Sequence, residues 1–224
     1  MPGRDWLIVG LLALAVSASV GRIAVERLDG LSIDLLFWLR QAAFGAQHSP
    51  AESPAVVVAI DEETYRTPPF AGRPTVLWTP QLATVLDAVI AGDARIAGLD
   101  LILATSVESA LPGFDRDYLI ALQSAARANK VVLAKVQHQL LPISPFRAQS
   151  LVVDGARNVR AANLFRDDDE VIRRIPLTFQ GENAGGGLRT ANGLAVELAA
   201  RAAGRQPTRL PDGAMAFGDY RVPN

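Results

Sequence analysis

The chain has 224 residues, no cysteine, two histidines and a formal net charge of −1. These totals argue against a nucleic-acid surface and exclude disulfides, thiolate metal sites and thiol catalysis. His48 and His138 are far apart in the sequence and form no HxxxH pair, so a zinc site is not expected.

The first predicted element is the apolar run Trp6–Gly21, which contains no charged residue. A helix of this length rises about 24 Å, slightly less than the ~30 Å hydrocarbon core of a bilayer, and it can be extended if Arg22 snorkels to the interface. We predict a short cytoplasmic stub and a transmembrane signal anchor over residues 1–25. The alternative is a signal peptide cleaved near Ser17–Ser19. Both interpretations carry the rest of the chain out of the cytoplasm.

Residues 26–54 are expected to form a juxtamembrane helix followed by a linker. The helix is predicted from apolar side chains at helical spacing, including Ile33, Leu36, Phe37 and Phe44. The polar, proline-marked stretch "GAQHSPAESP" that follows is typical of a linker. An extracytoplasmic domain is therefore predicted over residues 55–224.

Strand and helix patterns alternate along this domain. They predict a short buried strand at Val56–Ile60, a helix at Pro80–Ala91, a strand at Ala94–Leu103, a helix at Asp115–Ala128 and a strand at Lys130–Gln137. Such an order implies a parallel sheet. We expect an α/β fold, with a mostly parallel central sheet flanked by helices and preceded by an N-terminal transmembrane helix.

The second half of the domain is less regular. It is predicted to hold a strand at Glu170–Phe179, a helix at Thr190–Gly204 and two short strands around a Gly218–Asp219 turn. The glycine run in "NAGGGLRT" lacks the spacing of a dinucleotide or P-loop motif, so we interpret it as a loop.

Asp61 and Asp100 are candidate functional residues because each follows a strand expected to be a parallel neighbour of the other. Both would then lie near the carboxyl edge of the sheet, where α/β proteins bind ligands. Two carboxylates could hold Mg²⁺ or act as acid and base, as in a metal-dependent hydrolase of the envelope. The alternative is that they fix loops by accepting backbone N–H bonds.

The acidic stretch "RDDDEVIRR" suggests either a Ca²⁺ site or a tight turn before a strand. The glycine and the final glutamate of an EF-hand loop are missing, which favours the turn. Because a turn returns the strand beside its own start, we predict a contact between Arg173 and Asp167 or Asp169.

The chain contains, in this order, the segments "VVVAIDEET", "ARIAGLDLIL", "KVVLAKV", "AANLFRDDDEVIRRIPLTF" and "ANGLAVELA". Together these five segments resemble the second type of CHASE domain, a sensory module of bacterial cyclases, histidine kinases and serine/threonine kinases. The positions that match the family pattern are Asp61, Asp100, Asn163, Asp167, Asp169, Arg173 and Pro176.

The resemblance implies a sensor in the bacterial inner membrane whose domain faces the periplasm or the outside of the cell. Asp61, Asp100, Asn163, Asp167, Asp169 and Arg173 would bind the ligand or structure its pocket. No cofactor, catalytic residue, metal or nucleic acid is expected. The partners would be the membrane, an unknown small-molecule or protein signal, and a second copy in a homodimer. In the family, three membrane helices and an output domain follow, so we expect this chain to be incomplete at its C-terminus.

Overall fold

The computed structural model of the protein describes residues 28–46, 51, 53–137, 141–182 and 188–222. The predicted anchor Trp6–Gly21, both histidines and most of the glycine-rich loop lie outside these residues. No helix within the described ranges is long and apolar enough to cross a membrane. The chain divides into a first unit, Met1–Val58 with Leu164–Ile175, and a second unit, Ala59–Asn163 with Pro176–Asn224.

The first unit contains the predicted juxtamembrane helix. Residues 28–44 are helical and form α1, which confirms a helix in this part of the chain. Residues 164–175 form an irregular segment with a turn at its centre. The strand expected over Glu170–Phe179 is therefore wrong for most of its length, because ladder pairing begins only at Thr178.

The second unit is built on a parallel sheet of three strands in the order β1, β2, β3. The strands are β1 (Ala97–Leu99), β2 (Val131–Lys135) and β3 (Val159–Ala161). Helix α4 (Arg116–Arg127) connects β1 to β2. Parallel pairing on both sides of β2 confirms the α/β class that the sequence predicts.

The central strand β2 is buried on both of its faces. Val131 and Leu133 pack into a core made with α3 (Thr79–Ala91), α4 and the loop residues Phe146 and Val153. Val132 and Ala134 point the other way and pack against Leu194 of α7 (Leu194–Ala203). Side chains alternate across a strand, so one apolar run supplies two cores.

The strand predicted at Val56–Ile60 is not formed. This segment has no ladder partner among the residues that the structure describes, and Val56 and Val57 are 89% and 86% exposed. Strand propensity reflects packing on a pleated, half-buried surface more than an intrinsic backbone preference, so an apolar β-branched run needs a neighbouring strand to be stable. In the structure β1 pairs with β2 and not with the segment at Val56–Ile60.

The other elements are short and agree in part with the sequence. Helix α7 ends at Gly204, whose φ of +64° gives the left-handed cap that glycine favours. The predicted turn at Gly218–Asp219 joins two antiparallel strands, as expected. The remaining elements are α2 (Glu62–Arg66), α5 (Arg147–Val152), α6 (Gly155–Asn158), the antiparallel hairpin β4 (Thr178–Glu182) and β5 (Leu188–Asn192), and the antiparallel meander β6 (Thr208–Arg209), β7 (Met215–Phe217) and β8 (Tyr220–Val222).

Candidate functional site

The acidic segment of the first unit forms a closed turn. The Asp167 N–H donates to the Val171 carbonyl at 2.9 Å, and the Glu170 N–H donates to the Asp167 carbonyl at 2.8 Å. Glu170 holds a left-handed φ of +64°. The carboxylate of Asp169 accepts from the Val171 N–H at 3.2 Å. These bonds reverse the chain and return the residues after Val171 toward the aspartates, as the sequence predicts.

Arg173 lies at the centre of three carboxylates. It grips Asp169 with two parallel bonds of 2.8 and 2.7 Å, and it donates to Asp167 at 3.0 Å. The predicted contact between Arg173 and the acidic turn is thereby confirmed. A second bidentate pair joins Arg173 to Asp34 of α1, with both bonds at 2.8 Å. Only 5% of the Arg173 side chain is exposed.

Two neighbouring features support this cluster, which we call the Arg173 cluster (Asp34, Asp167, Asp169 and Arg173). Gly30 is buried in α1, where a Cβ would lie 3.2 Å from the guanidinium carbon of Arg173. The absence of a side chain therefore lets the guanidinium approach the helix closely. Arg174 adds a second link from the turn to the helix, since it bonds Asp29 at 2.6 Å and Asp167 at 3.1 Å.

The charges of the cluster stabilise each other. Hydrogen bonds from Arg173 lower the pKa of Asp169 to about 2 and also lower the pKa of Asp34. The carboxylates of Asp34, Asp169 and Asp167, in that order of effect, raise the pKa of Arg173 further above its usual value. Asp34, Asp169 and Arg173 are therefore charged at neutral pH, and the cluster acts as an ionic clamp between α1 and the turn.

Asp61 of the second unit caps a helix. Its Oδ1 accepts from the Thr64 N–H and from the Thr64 hydroxyl, both at 2.9 Å, and the Thr64 hydroxyl accepts from the Asp61 N–H in return. The backbone bond from Thr64 is the main cause of a lowered Asp61 pKa. Asp61 therefore fixes its loop by accepting a backbone N–H bond, which is one of the two roles that the sequence predicts for it.

Asp100 and Asn163 occupy different kinds of position. Asp100 follows β1, is exposed, and its side chain has no hydrogen bond or ion pair to any residue that the structure describes. The amide of Asn163 accepts from the Gln137 N–H and donates to the Gln137 carbonyl, both at 2.8 Å. Asn163 thus continues the pairing of β2 with β3 beyond the ends of the strands.

Sequence reasoning missed a buried carboxylate in the loop that leaves β1. Asp115 is 1% exposed and accepts from the Thr79 hydroxyl at 2.8 Å and the Ser106 hydroxyl at 2.6 Å. A cavity of about 420 Å³ adjoins it and is lined by polar groups of the same loop, by apolar side chains of α4 such as Leu119 and Ile120, and by Phe146. Asp115 opens a predicted helix, so its sequence position indicates an N-cap and gives no sign of this role.

A second concave surface lies between α7 and the C-terminal meander. It has a volume of about 520 Å³ and is mostly apolar, with contributions from Leu177, Phe217, Tyr220 and Val222 and with Arg205 among its lining residues. Concave apolar sites with a few polar groups are the usual form of small-molecule pockets. The second unit therefore offers two concave places for a ligand, one beside Asp115 and one beside α7.

An ionic network stiffens the same unit. Glu197 of α7 accepts from Arg201 at 2.8 Å, from Arg160 at 3.3 Å and from Asn192 at 3.3 Å. Burial raises the pKa of Glu197, but the Arg201 hydrogen bond and the two arginine charges outweigh burial and lower it overall. The network joins α7 to β3, so its role is to hold elements together.

Within the described residues, no group of three or more His, Asp or Glu side chains is arranged to hold a metal ion. The carboxylates of the acidic turn instead bond to Arg173 and Arg174. A guanidinium within 3.0 Å of Asp167 and Asp169 would repel Ca²⁺ from the site that the sequence suggested as an alternative.

Comparison with known proteins identifies the family. The family model of the CHASE2 domain matches residues 7–223, nearly the whole chain. No curated protein and no solved structure gives a match. With its α/β fold and a family match of this extent, the chain belongs to the CHASE2 family of sensory domains.

Proposed function

We propose that this chain is the extracytoplasmic sensory domain of a bacterial membrane-anchored signal transduction protein. It would perceive a small-molecule or protein signal and be coupled to a cytoplasmic cyclase or kinase. Membership of a sensory family supports this role. The uncharged Trp6–Gly21 run, which precedes α1 in the sequence, supports a membrane anchor.

The Arg173 cluster is the observation that carries the proposal. Residues 164–175 continue from β3 at one end and lead into β4 at the other. Arg173 ties this segment to α1 by a bidentate ion pair with Asp34. In our proposal a signal that moves the segment changes the hold on α1, and α1 passes the change to the anchor.

The residues matched to the family then divide by role. Asp167, Asp169 and Arg173 form the clamp, while Asp61 and Asn163 fix local structure. Asp100 has no partner in the described part of the chain, so it is available to a ligand. The cavity beside Asp115 and the apolar groove beside α7 are the candidate sites for the signal.

Reporter fusions test the location. Alkaline phosphatase fused after Asn224 should be active, because it needs an oxidising compartment to form its disulfides, and a cytosolic fluorescent protein fused at the same point should be dark. The opposite pattern would place the domain in the cytoplasm and refute the proposal.

An activity screen tests the competing hydrolase prediction. The purified chain is assayed for phosphatase and esterase turnover with and without Mg²⁺ or Mn²⁺. We expect no turnover. A turnover that disappears in Asp61→Asn or Asp100→Asn, but persists in the neighbouring variant Glu63→Gln, would establish the envelope enzyme instead.

A further inference from the structure

The cavity beside Asp115 lies at the carboxyl edge of the parallel sheet, where open α/β sheets bind ligands. It is lined by the loop that leaves β1, by the first two turns of α4 and by Phe146, which follows β2 in the chain. Its volume of about 420 Å³ is within the roughly 300–1,000 Å³ of small-molecule pockets. All of its lining residues belong to the second unit.

Hydrogen bonds within the protein fix the walls of this cavity. The Leu103 carbonyl accepts from the Phe146 N–H at 2.9 Å and from the Gln149 amide at 3.2 Å, which joins the loop after β1 to the chain after β2. Within the first loop, a Glu108 carboxylate oxygen accepts from the Gly113 N–H at 2.7 Å. A preformed pocket of this kind loses little binding free energy to the ordering of its own loops.

Asp115 brings to the cavity a carboxylate that no described cation balances. The side chain is 1% exposed, and its oxygens accept from the neutral hydroxyls of Thr79 and Ser106. Asp115 directly precedes α4 but makes no capping bond to it, so capping does not account for its burial. A carboxylate has about four acceptor sites, so two hydroxyl bonds leave part of this capacity unused. Because burying a carboxylate is costly unless a cation pairs with it, the site favours a positively charged ligand.

The other side chains of the cavity agree with this preference. Its acidic lining residues are Glu108 and Asp115 and its basic one is Arg116, so two acids and one base leave a net charge of −1. None of the three forms an ion pair with a residue that the structure describes. Leu119 and Phe146 add apolar surface beside these charges.

We infer that this cavity binds a small organic cation, a protonated amine with an apolar body. The ammonium group bonds to Asp115 and Glu108, and the apolar body packs on Leu119 and Phe146. A divalent metal ion is a poorer match, because Mg²⁺ and Ca²⁺ take about six or more oxygen ligands and the described residues hold no group of three acidic or histidine side chains arranged for a metal. That the amine is the signal of the sensor rests on the proposed function.

Four probes that share one apolar body test the charge preference. Phenethylamine is cationic, phenethyl alcohol is neutral, hydrocinnamate is anionic, and phenylalanine is a zwitterion whose carboxylate can also use Arg116. The affinity of the purified full chain for each probe is measured by isothermal titration calorimetry at neutral pH. We expect phenethylamine to bind at least about tenfold more tightly than the other three.

Charge-removing variants test which side chains hold the amine. Asp115→Asn can still bond to both hydroxyls, because an amide donates as well as accepts, and it should weaken phenethylamine binding at least about tenfold. Glu108→Gln should weaken it several-fold, and it decides the test alone if circular dichroism shows that Asp115→Asn does not fold. Asp117→Asn is the matched control, since Asp117 is exposed in the first turn of α4 and lies outside the cavity lining. It should leave the affinity unchanged.

Equal affinity for phenethylamine and phenethyl alcohol, tighter binding of phenylalanine, or no binding of any probe would overturn the amine site. Equal weakening by Asp117→Asn and by the cavity variants would do the same, because the attraction would then come from the general charge of the domain. The reporter fusions test the location of the domain separately. Selective amine binding by a domain that those fusions place in the cytoplasm would refute the sensor and leave the amine site standing.

Discussion

One guanidinium, that of Arg173, joins three carboxylates among the described residues of the first unit. Arg173 keeps 5% of its side chain in water, and it meets two carboxylates in bidentate geometry and a third through a single bond. Such pairs are short and geometrically specific. An arginine so enclosed would be costly to bury without its acids, so the cluster must assemble as a whole.

The first prediction concerns acid stability. The folded-state pKa of Asp169 is about 2, below its ordinary value of 3.8, so its contribution to the free energy of unfolding is present above about pH 4. That contribution is lost as the pH falls from about 4 toward 2. Asp169→Asn should therefore flatten the melting temperature against pH in this window, and an NMR titration of the Asp169 carboxyl carbon should give the low pKa directly.

Asp168 provides the control for this titration. It lies in the same turn, is exposed, and has no ion pair with a described residue. Asp168→Asn should leave the acid limb of the curve unchanged. If the Asp168 and Asp169 variants flatten the curve equally, the pKa shift arises from the general charge of the turn and not from Arg173.

The second prediction concerns Glu197. Replacing it with Ala leaves Arg160 and Arg201 without their carboxylate, and these side chains are 11% and 7% exposed. Breaking one partner of such a buried pair costs about 3–5 kcal/mol. Urea unfolding should show this as a lower midpoint with an unchanged slope.

The matched control is the surface pair of Glu62 and Arg66, whose side chains are about four-fifths exposed. Glu62→Ala should cost about 0–1 kcal/mol. Similar losses for the two variants would mean that the Glu197 network is as well hydrated as a surface pair.

At the scale of elements, the structure and the sequence disagree most sharply over two valine runs. Val131 and Val132 of β2 are fully buried, whereas Val56 and Val57 are almost fully exposed. Both runs are apolar and β-branched, so local pattern alone treats them alike. The difference lies in their neighbours: β2 has a strand on each side, and the segment at Val56–Ile60 pairs with no strand in the described part of the chain.

The third prediction compares the two runs by making the same substitution, valine to threonine, once in each. Val132→Thr places a hydroxyl in the core and should cost about 1–3 kcal/mol, because the buried polar group gains no partner. Val57→Thr is expected to stay within about 0.5 kcal/mol of the wild type. Chemical denaturation of both variants measures the difference. Equal losses would show that Val56–Ile60 packs as the buried strand that its sequence predicts.

At the scale of the whole molecule, the first unit is assembled from two separate pieces of sequence. The fourth prediction follows from removing one piece. A chain that begins at residue 55 lacks α1 and with it Asp29, Gly30 and Asp34. Limited trypsin digestion with mass spectrometry should then show faster cleavage after Arg173 than in the full chain.

Cleavage after Arg160 and Arg201 should not change, because their network belongs to the second unit. An unchanged rate after Arg173 would contradict a shielding role for α1. Faster cleavage at all three arginines would show that the second unit depends on α1 as well.

Features set by residues close together in the sequence could be predicted, whereas contacts between distant residues could not. The sheet class, α4, α7 and the turn at Gly218–Asp219 have local periodicity and turn chemistry, and the structure confirms them. The bond from Arg173 to Asp169 spans four residues and could be predicted. The bond from Arg173 to Asp34 spans 139 residues, and no local pattern encodes it. Asp115 was missed for the same reason, since its partner Thr79 is 36 residues away.

The separation of Asp34 from Arg173 also sets an order in time during synthesis. At roughly 5–20 residues per second, a ribosome needs on the order of 10–30 s to pass from one to the other. The nascent helix therefore leaves the ribosome before the acidic turn exists, and it has time to be delivered to the membrane without that turn. Replacement of Arg173 should then leave the delivery of α1 to the membrane unchanged. It should affect only how firmly α1 is held against the acidic turn in the completed protein.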